Sequence, residues 1–243
     1  MKTIFISIVS DDWYLPSRTD DFIKSFKHFH PEIELKIFRE QEIKETFATD
    51  ARLNYYNSKA TFALKFIDNY DLVVWIDVDH LIFGRLDSIL ENRYAIAAPS
   101  NFNKYQNTSI GEMDEKHYFN GGIIASGSKP FWELYEHNSL NWAMEYSHKD
   151  NDILNLLLKG TKLKNKYLDG SNDFNDDGFK EYYGCASLGQ ESEVKIVNNR
   201  PEINGKPIKA YHFAKGDKNK PHPKDLFNQD VINWINENIN LNY

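Results

Sequence analysis

An apolar run that stops at two aspartates restricts how this chain can fold. Residues 72–83 are LVVWIDVDHLIF, in which five consecutive apolar residues precede Asp77 and a second apolar stretch follows Asp79. A short strand without a polar side chain on either face is typical of the buried centre of a parallel sheet. The segment therefore predicts a central strand with two carboxylates at its carboxyl end.

Strand and helix patterns alternate through the first 76 residues, which predicts an α/β domain with a mostly parallel central sheet. Apolar periodicity predicts strands at residues 3–9, 34–38 and 72–76 and helices at 19–28 and 58–69, with Ser58 as a helix cap. We expect one Rossmann-like domain over residues 1–243. The same patterns further along predict strands at 94–98, 119–125 and 210–213, helices at 130–146, 152–159 and 230–239, and loops at 101–116 and 169–178.

Composition and charge exclude several classes of protein. Hydrophobic residues make up 41% of the chain, which suits a globular core, and the formal net charge of −7 disfavours an extended nucleic-acid groove. Cys185 is the only cysteine, so neither an intrachain disulfide nor a cysteine-based zinc site is expected. The amino-terminal residues do not resemble a signal peptide, and no stretch approaches the about 18 apolar residues of a membrane span. We expect a cytoplasmic protein.

The two aspartates are suited to holding a cation. In an extended chain, side chains two residues apart point the same way, so Asp77 and Asp79 can converge on one ion. Open α/β sheets place their ligands at the carboxyl ends of their strands. Two carboxylates there repel each other unless positive charge compensates them. A solvated turn is the ordinary alternative, but the flanking apolar runs favour a metal or phosphate site.

Two enzyme classes place Asp-x-Asp after such a strand. Haloacid-dehalogenase-like phosphatases use the first aspartate as a nucleophile, but their motif usually lies near the amino terminus and has Thr or Val two residues beyond the second aspartate. Here that position is Leu81, and about seventy residues of α/β pattern come first. Nucleotide-diphospho-sugar glycosyltransferases instead use Asp-x-Asp to hold a divalent metal against the diphosphate.

Five segments favour the second class. They are SDDWY at 10–14, the run from SKATF at 58 through the Asp-x-Asp strand, YFNGGIIASG at 118–127, DNDILN at 150–155 and HFAKGDKNKP at 212–221. In this order they resemble motifs of the retaining glycosyltransferase family 8, which includes glycogenin and the bacterial lipopolysaccharide galactosyltransferases. The resemblance implies a GT-A-type nucleotide-diphospho-sugar transferase fold, a nucleotide-sugar donor, with UDP favoured, and transfer with retention of configuration.

The resemblance also implies roles for individual residues. It implies a divalent ion held by Asp77, Asp79 and His212, and because one ligand is an imidazole, Mn²⁺ is favoured over Mg²⁺. It places Asp150 and Asn151 beside the transferred sugar as candidate catalytic residues. The remaining candidate donor contacts are Ser10, Asp12, Tyr14, Lys59, Val78, Asn120, Gly121, Lys215 and Lys218.

Two departures from the family pattern bear on function. The family usually has Gln where this chain has Asn151, which is one methylene shorter, and Gly216 lies one position late, with Lys215 where glycine is expected. Two alternatives stay open: a phosphatase that uses Asp77, and a sugar-nucleotide binder without catalysis. The acceptor, whether a glycan, a lipid-linked sugar or a protein, does not follow from the sequence, nor does the oligomeric state.

Overall fold

The computed structural model is an α/β fold built on one large sheet. It describes residues 1–9, 16–47, 58–91, 94–99, 119–146, 148–159, 180–187, 190–213 and 222–243. The strands are β1 Thr3–Ile8, β2 Glu34–Phe38, β3 Leu72–Ile76, β4 His80–Ile82, β5 Tyr94–Pro99, β6 Ile123–Ser126, β7 Lys180–Ser187, β8 Lys195–Val197, β9 Arg200–Ile203, β10 Lys206–Pro207 and β11 Ala210–His212. The helices are α1 Pro16–Phe29, α2 Glu40–Phe47, α3 Lys59–Leu64, α4 Asp87–Glu91, α5 Lys129–Trp142, α6 Asp150–Lys159, α7 Pro223–Leu226 and α8 Gln229–Ile239.

The strand order of the large sheet forces it to curl. Eight strands run in the order β2-β1-β3-β6-β5-β7-β11-β4. Four of the seven pairings are parallel, which confirms the mostly parallel sheet expected from the sequence. β3 is third in the order and β4 is last, yet only residues 77–79 separate them along the chain. The far edge of the sheet must therefore return to the carboxyl end of β3.

The inner strands of this sheet are buried on both faces. On one face, Ile4, Val73 and Trp75 belong to a core cluster that also includes residues of α3, α5 and α6. On the other face, Phe5 and Val74 pack in a cluster with residues of α1 and α4. Neighbouring residues of one strand thus enter opposite cores, which explains why the sequence of β3 contains no polar residue.

A third core stabilises the edge of the sheet where β4 and β11 pair. Leu81 and Phe83 pack with Tyr211 and Phe213 in a cluster that α8 covers with Trp234 and neighbouring apolar residues. The small antiparallel sheet of β8, β9 and β10 contributes Ile203 and neighbouring apolar residues to the same cluster. The edge that returns to β3 is therefore anchored by its own apolar core.

The helix next to the aspartates is shorter than its sequence pattern predicts. The expected helix at 58–69 ends at Leu64, because Lys65 and Phe66 bond to carbonyls three residues back, at 3.3 and 3.0 Å. The expected cap at Ser58 is also not formed: its backbone is already in the helical region and its side chain makes no capping hydrogen bond.

No helix in the described part of the chain combines the length and apolar character that a bilayer span requires.

Candidate metal centre and donor site

Asp77, Val78 and Asp79 form a turn that joins β3 to the returning edge of the sheet. The Asp77 amide donates to the Gly122 carbonyl at 2.8 Å, and the Asp79 carbonyl accepts from the Phe213 amide at 2.8 Å. The segment is thus a turn and not the extended chain assumed in the sequence argument. Each carboxylate still lies close to the same imidazole, because Asp79 Oδ1 and Asp77 Oδ2 are 3.1 and 3.6 Å from His212 Nε2.

Neighbouring side chains orient the Asp77 carboxylate. Trp75 Nε1 donates to Asp77 Oδ1 at 2.6 Å, and Lys59 Nζ lies 3.5 Å from the same oxygen. Burial raises the pKa of Asp77 above its ordinary value, a shift that Lys59 opposes and the charge of Asp79 increases. Because Oδ1 is held by Trp75 and Lys59, Oδ2 is the atom nearest to His212.

Lys59 is a buried cation that contacts both Asp77 and Asp150. Its Nζ donates to the Gly121 carbonyl at 2.7 Å and lies 3.0 Å from Asp150 Oδ2, in addition to its contact with Asp77. Burial alone would lower the pKa of Lys59, but Asp150 and Asp77 raise it above its ordinary value. The ammonium is therefore charged, and its three protons match three partners in the site.

Asp150 and Asn151 occupy the first turn of α6, which begins two residues before the start that its sequence predicts. Tyr135 donates from its hydroxyl to Asp150 Oδ2 at 3.2 Å. Asn151 Oδ1 accepts the Gly121 amide at 2.7 Å. Asp150 is thus held by Tyr135 of α5 and by Lys59, and the amide oxygen of Asn151 is bound to the backbone of the segment that precedes β6.

Gly122 lets that segment approach the imidazole of His212. A Cβ atom there would lie 2.5 Å from His212 Cε1 and 2.8 Å from His212 Nδ1, distances that real Cβ atoms do not show. Asn120 Oδ1 accepts the Gly122 amide at 2.8 Å and thereby fixes this tight segment. The glycine is required by the position of the imidazole.

His80 adds a second imidazole next to His212. The rings have centroids 4.1 Å apart and planes inclined by 8°. One ligand-type atom from each of Asp79, His80 and His212 lies within 4.8 Å of the other two, which makes these three a candidate metal cluster among the described residues. Burial lowers the pKa of His80 well below its ordinary value, so this ring is neutral.

The structure brings together most of the residues that the sequence singled out. One continuous series of contacts links eight of them: Lys59, Asp77, Asp79, Asn120, Gly121, Asp150, Asn151 and His212. Val78 packs in part against the core that includes α1. Ser10, Asp12, Tyr14, Lys215 and Lys218 lie outside the described residues.

Sequence reasoning missed several residues that support the site: Trp75, His80, Tyr135 and Asn155. Trp75 precedes Asp77 by two residues, a spacing that could have suggested their contact. Tyr135 and Asn155 lie on helices, and Asn155 reaches the Phe119 carbonyl at 2.8 Å, a contact without any local sequence signal.

Comparison with known proteins gives a match in structure and none in sequence. No family model matches the chain, and no curated protein matches it. The galactosyltransferase LgtC, solved with donor and acceptor sugar analogs, is 14% identical with a TM-score of 0.56 over 97% of this chain and 95% of its own. The glycosyltransferase GlyE of Streptococcus pneumoniae TIGR4 is 13% identical with a TM-score of 0.53 over 98% of this chain and 61% of its own.

The bifunctional glycosyltransferase WbbM is a third structural match. It is 14% identical with a TM-score of 0.56, over 98% of this chain and 49% of WbbM. At such identities a likeness shows the fold and leaves the activity to be tested. The expected fold is confirmed: this chain has the nucleotide-diphospho-sugar transferase fold of the GT-A type.

Proposed function

We propose that this chain is a metal-dependent glycosyltransferase that moves a sugar from a nucleotide diphosphate, UDP being favoured, to a glycan, lipid-linked or protein acceptor. One observation carries the proposal. At the carboxyl end of β3, two carboxylates meet an imidazole, and the same Asp77 contacts the Lys59–Asp150 pair. The proposed metal ligands thus lie beside a buried ion pair whose carboxylate could meet the donor sugar.

The spacing of each proposed carboxylate ligand from His212 suits a divalent ion. Ligand atoms about 2.1 Å from a six-coordinate ion are about 3 Å apart when they are neighbours in its coordination sphere. His212 Nε2 lies 3.1 Å from Asp79 Oδ1 and 3.6 Å from Asp77 Oδ2, close to that spacing. Two oxygens and one imidazole suit Mn²⁺ or Mg²⁺, and the imidazole favours Mn²⁺. When bound, the ion would supply Lewis-acid stabilisation of the leaving diphosphate.

The chain's own residues have distinct tasks around the donor. Lys59 is held by Asp150, Asp77 and the Gly121 carbonyl, so its charge compensates the carboxylates that flank the sugar pocket. Asp150 has its Oδ2 bonded to Lys59 and Tyr135 and would orient sugar hydroxyls. Asp12 and Tyr14 would hold the nucleotide base, and Lys215 and Lys218 the phosphates, as the family resemblance implies.

Asn151 bears on how the sugar is transferred. Its Oδ1 is bonded to the Gly121 amide, so the NH₂ group is the part that remains to meet a sugar hydroxyl. An amide is not a base at physiological pH, which argues against direct deprotonation of the acceptor opposite the leaving group. We therefore propose transfer with retention, in which the departing diphosphate accepts the proton of the acceptor on the face that it leaves.

Stereochemistry tests this mechanism. Proton NMR of the first-formed product from an α-linked donor should show an α-anomer. A β-anomer would contradict retention and would favour a carboxylate base, with Asp150 or Asp152 as the candidates.

Nucleotide-sugar binding tests the proposal as a whole. UDP-sugars should raise the melting temperature in the presence of Mn²⁺ and should have little effect without it, because a ligand that binds only the folded state stabilises it. Asp79→Asn should remove the Mn²⁺-dependent part of this shift. Asp20→Asn, an exposed change on α1, is the matched control and should behave like the parent chain.

The same assay separates the two alternatives. A non-catalytic binder would show the Mn²⁺-dependent shift without turnover of the donor, and the bond between Asn151 Oδ1 and the backbone is the observation that favours it. A phosphatase that uses Asp77 would release phosphate from a phosphomonoester and ignore nucleotide sugars; the GT-A fold does not support that hypothesis. A full Mn²⁺-dependent shift in Asp79→Asn would contradict the metal assignment.

A further inference from the structure

His80 and His212 are directly opposite each other on neighbouring strands. They are register partners in the antiparallel pair of β4 and β11, so their side chains lie on one face of the sheet. Both residues are buried, with His80 at 3% exposure and His212 at 6%. The sequence resemblance assigns a role to His212 alone, and the proximity of Asp79, His80 and His212 raises the question of whether His80 also binds the ion.

The ring geometry excludes two imidazole ligands to one ion in this arrangement. The lone pair of an imidazole nitrogen lies in the plane of its ring, so a bound ion must lie near that plane. Rings whose centroids are 4.1 Å apart and whose planes differ by 8° cannot be coplanar, because their edges would overlap. The two rings are therefore stacked, with their planes separated by a van der Waals distance of roughly 3.5 Å. An ion in the plane of His212 is therefore well outside the plane of His80.

The second contact of His80 gives it a different task. Its Nδ1 lies 2.8 Å from the Asp77 carbonyl oxygen, and since a carbonyl only accepts, Nδ1 must carry the proton. One side of the His80 ring is thus bonded to the backbone of Asp77, and one face is packed on His212. Gly122 lies near Cε1 and Nδ1 of His212, where no Cβ atom would fit. His80 and Gly122 together restrict where the imidazole of His212 can be.

We propose that His80 is a positioning residue of the metal centre, which fixes the His212 ring and the Asp77 backbone without binding the ion. This inference rests on the metal site of the proposed function and on no assumption about the donor or the acceptor. It also explains why a residue of this type lies immediately after Asp79: the imidazole has one face for stacking and one N–H for the carbonyl.

Two substitutions separate the two contacts. His80→Asn retains an N–H donor at about the position of Nδ1 and loses the ring, whereas His80→Phe retains a ring to pack on His212 and loses the donor. His80→Ala loses both. His28→Ala, an exposed change on α1, is the matched control.

Two measurements compare these variants. Titration calorimetry measures the binding of Mn²⁺ alone, and electron spin-echo envelope modulation counts the nitrogen ligands of bound Mn²⁺.

We expect one imidazole coupling in the parent chain, in His80→Phe and in His80→Asn, and none in His212→Ala. His80→Ala should weaken Mn²⁺ binding by about 10- to 100-fold, the range for residues that orient metal ligands. His80→Phe and His80→Asn should each lose less. Two imidazole couplings in the parent and one in His80→Phe would show that His80 is a ligand. Parental Mn²⁺ affinity in His80→Ala would show that it positions nothing.

A metal-free measurement keeps this inference distinct from the proposed function. If the parent chain did not bind Mn²⁺ at all, the proposed metal dependence would fail. The arrangement of His80 is then judged by ¹⁵N–¹H NMR without metal, which should show a proton on Nδ1 and coupling across the hydrogen bond to the Asp77 carbonyl. A proton on Nε2 would overturn the proposal.

Discussion

At the scale of single residues, the site depends on side chains held in place by backbone. The Gly121 amide donates to Asn151, and its carbonyl accepts from Lys59. The Gly122 amide donates to Asn120, and its carbonyl accepts from the Asp77 amide. Side chains from distant parts of the sequence thus bond to the backbone of two consecutive glycines. A Cβ atom on Gly121 would lie 2.8 Å from Asn151 Oδ1. The two glycines therefore fix both the proposed metal ligands and the side chains proposed to meet the sugar.

Gly122→Ala should weaken Mn²⁺ binding by an order of magnitude or more while the fold persists. The added methyl group would overlap the His212 ring, which must move away from Asp77 and Asp79. Titration calorimetry with Mn²⁺ measures the effect, and circular dichroism checks the fold.

Gly84→Ala is the matched control for this substitution. Its Cβ atom would lie 2.9 Å from Cδ of Lys209, a flexible side chain that can turn aside. Its Mn²⁺ affinity should equal that of the parent chain. If Gly122→Ala also bound Mn²⁺ like the parent, the close fit of backbone and imidazole would have no consequence for the metal.

At the scale of elements, α8 supports the site from a distance. Its residues cover the core that includes Leu81, Tyr211 and Phe213, beside the strands that carry His80 and His212. Asn228 caps the helix, because its Oδ1 accepts the Val231 amide at 3.1 Å while its Nδ2 donates to the Val194 carbonyl at 3.1 Å. The cap thus links α8 to the segment that leads into the small sheet.

Asn228→Ala should lower the free energy of unfolding by about 1 kcal/mol, the usual effect of losing such a cap. Urea denaturation measures the change. Glu237→Ala, an exposed change on the same helix, should alter stability by less than about 0.5 kcal/mol. Equal midpoints for Asn228→Ala and the parent chain would show that the cap contributes nothing.

The elements also show what the sequence could and could not predict. The strand at 72–76 and the helices around 19–28 and 230–239 follow from local apolar periodicity, and the structure contains them. The parallel pairing of β3 with β1 follows from the alternation of strands and helices, whereas its antiparallel pairing with β6 was not predicted. The pairing of β4 with β11 does not follow, because it joins His80 to His212 across most of the chain. Sequence resemblance placed Asp77, Asp79 and His212 at one site, but the contacts of Trp75 and Tyr135 depend on packing between elements and were not predictable.

At the scale of the whole molecule, a buried histidine outside the candidate metal site should make stability depend on pH. His30 is fully buried between Phe5 and Phe26, and its Nε2 accepts the Leu86 amide at 3.1 Å. Its Nδ1 has no hydrogen-bond partner among the described residues. Burial, and to a lesser extent the charge of the nearby Arg85, lower the pKa of His30 to about 4.

The sign of the effect follows from this depressed pKa. Unfolded His30 binds a proton near its ordinary pKa of about 6.5, whereas the folded residue does so near 4. Stability is therefore complete above pH 6.5 and is lost as the pH falls toward 4, by roughly 2 to 3 kcal/mol. Urea denaturation across this range should show a smaller loss in His30→Gln, which keeps an acceptor for Leu86. The same loss in His30→Gln as in the parent would assign the pH dependence to other groups.

The curl of the large sheet has a consequence for the order in which the molecule can assemble. The pair of β4 and β11 closes a loop that contains most of the other strands, and loop-closure entropy opposes such a contact until the intervening chain is in place. Asp77 and Asp79 acquire their third partner, His212, only through this closure. A chain that has folded its first strands and helices therefore still lacks a complete cation site. Binding of a divalent cation would then report that the edge formed by β4 and β11 has returned to the carboxyl end of β3.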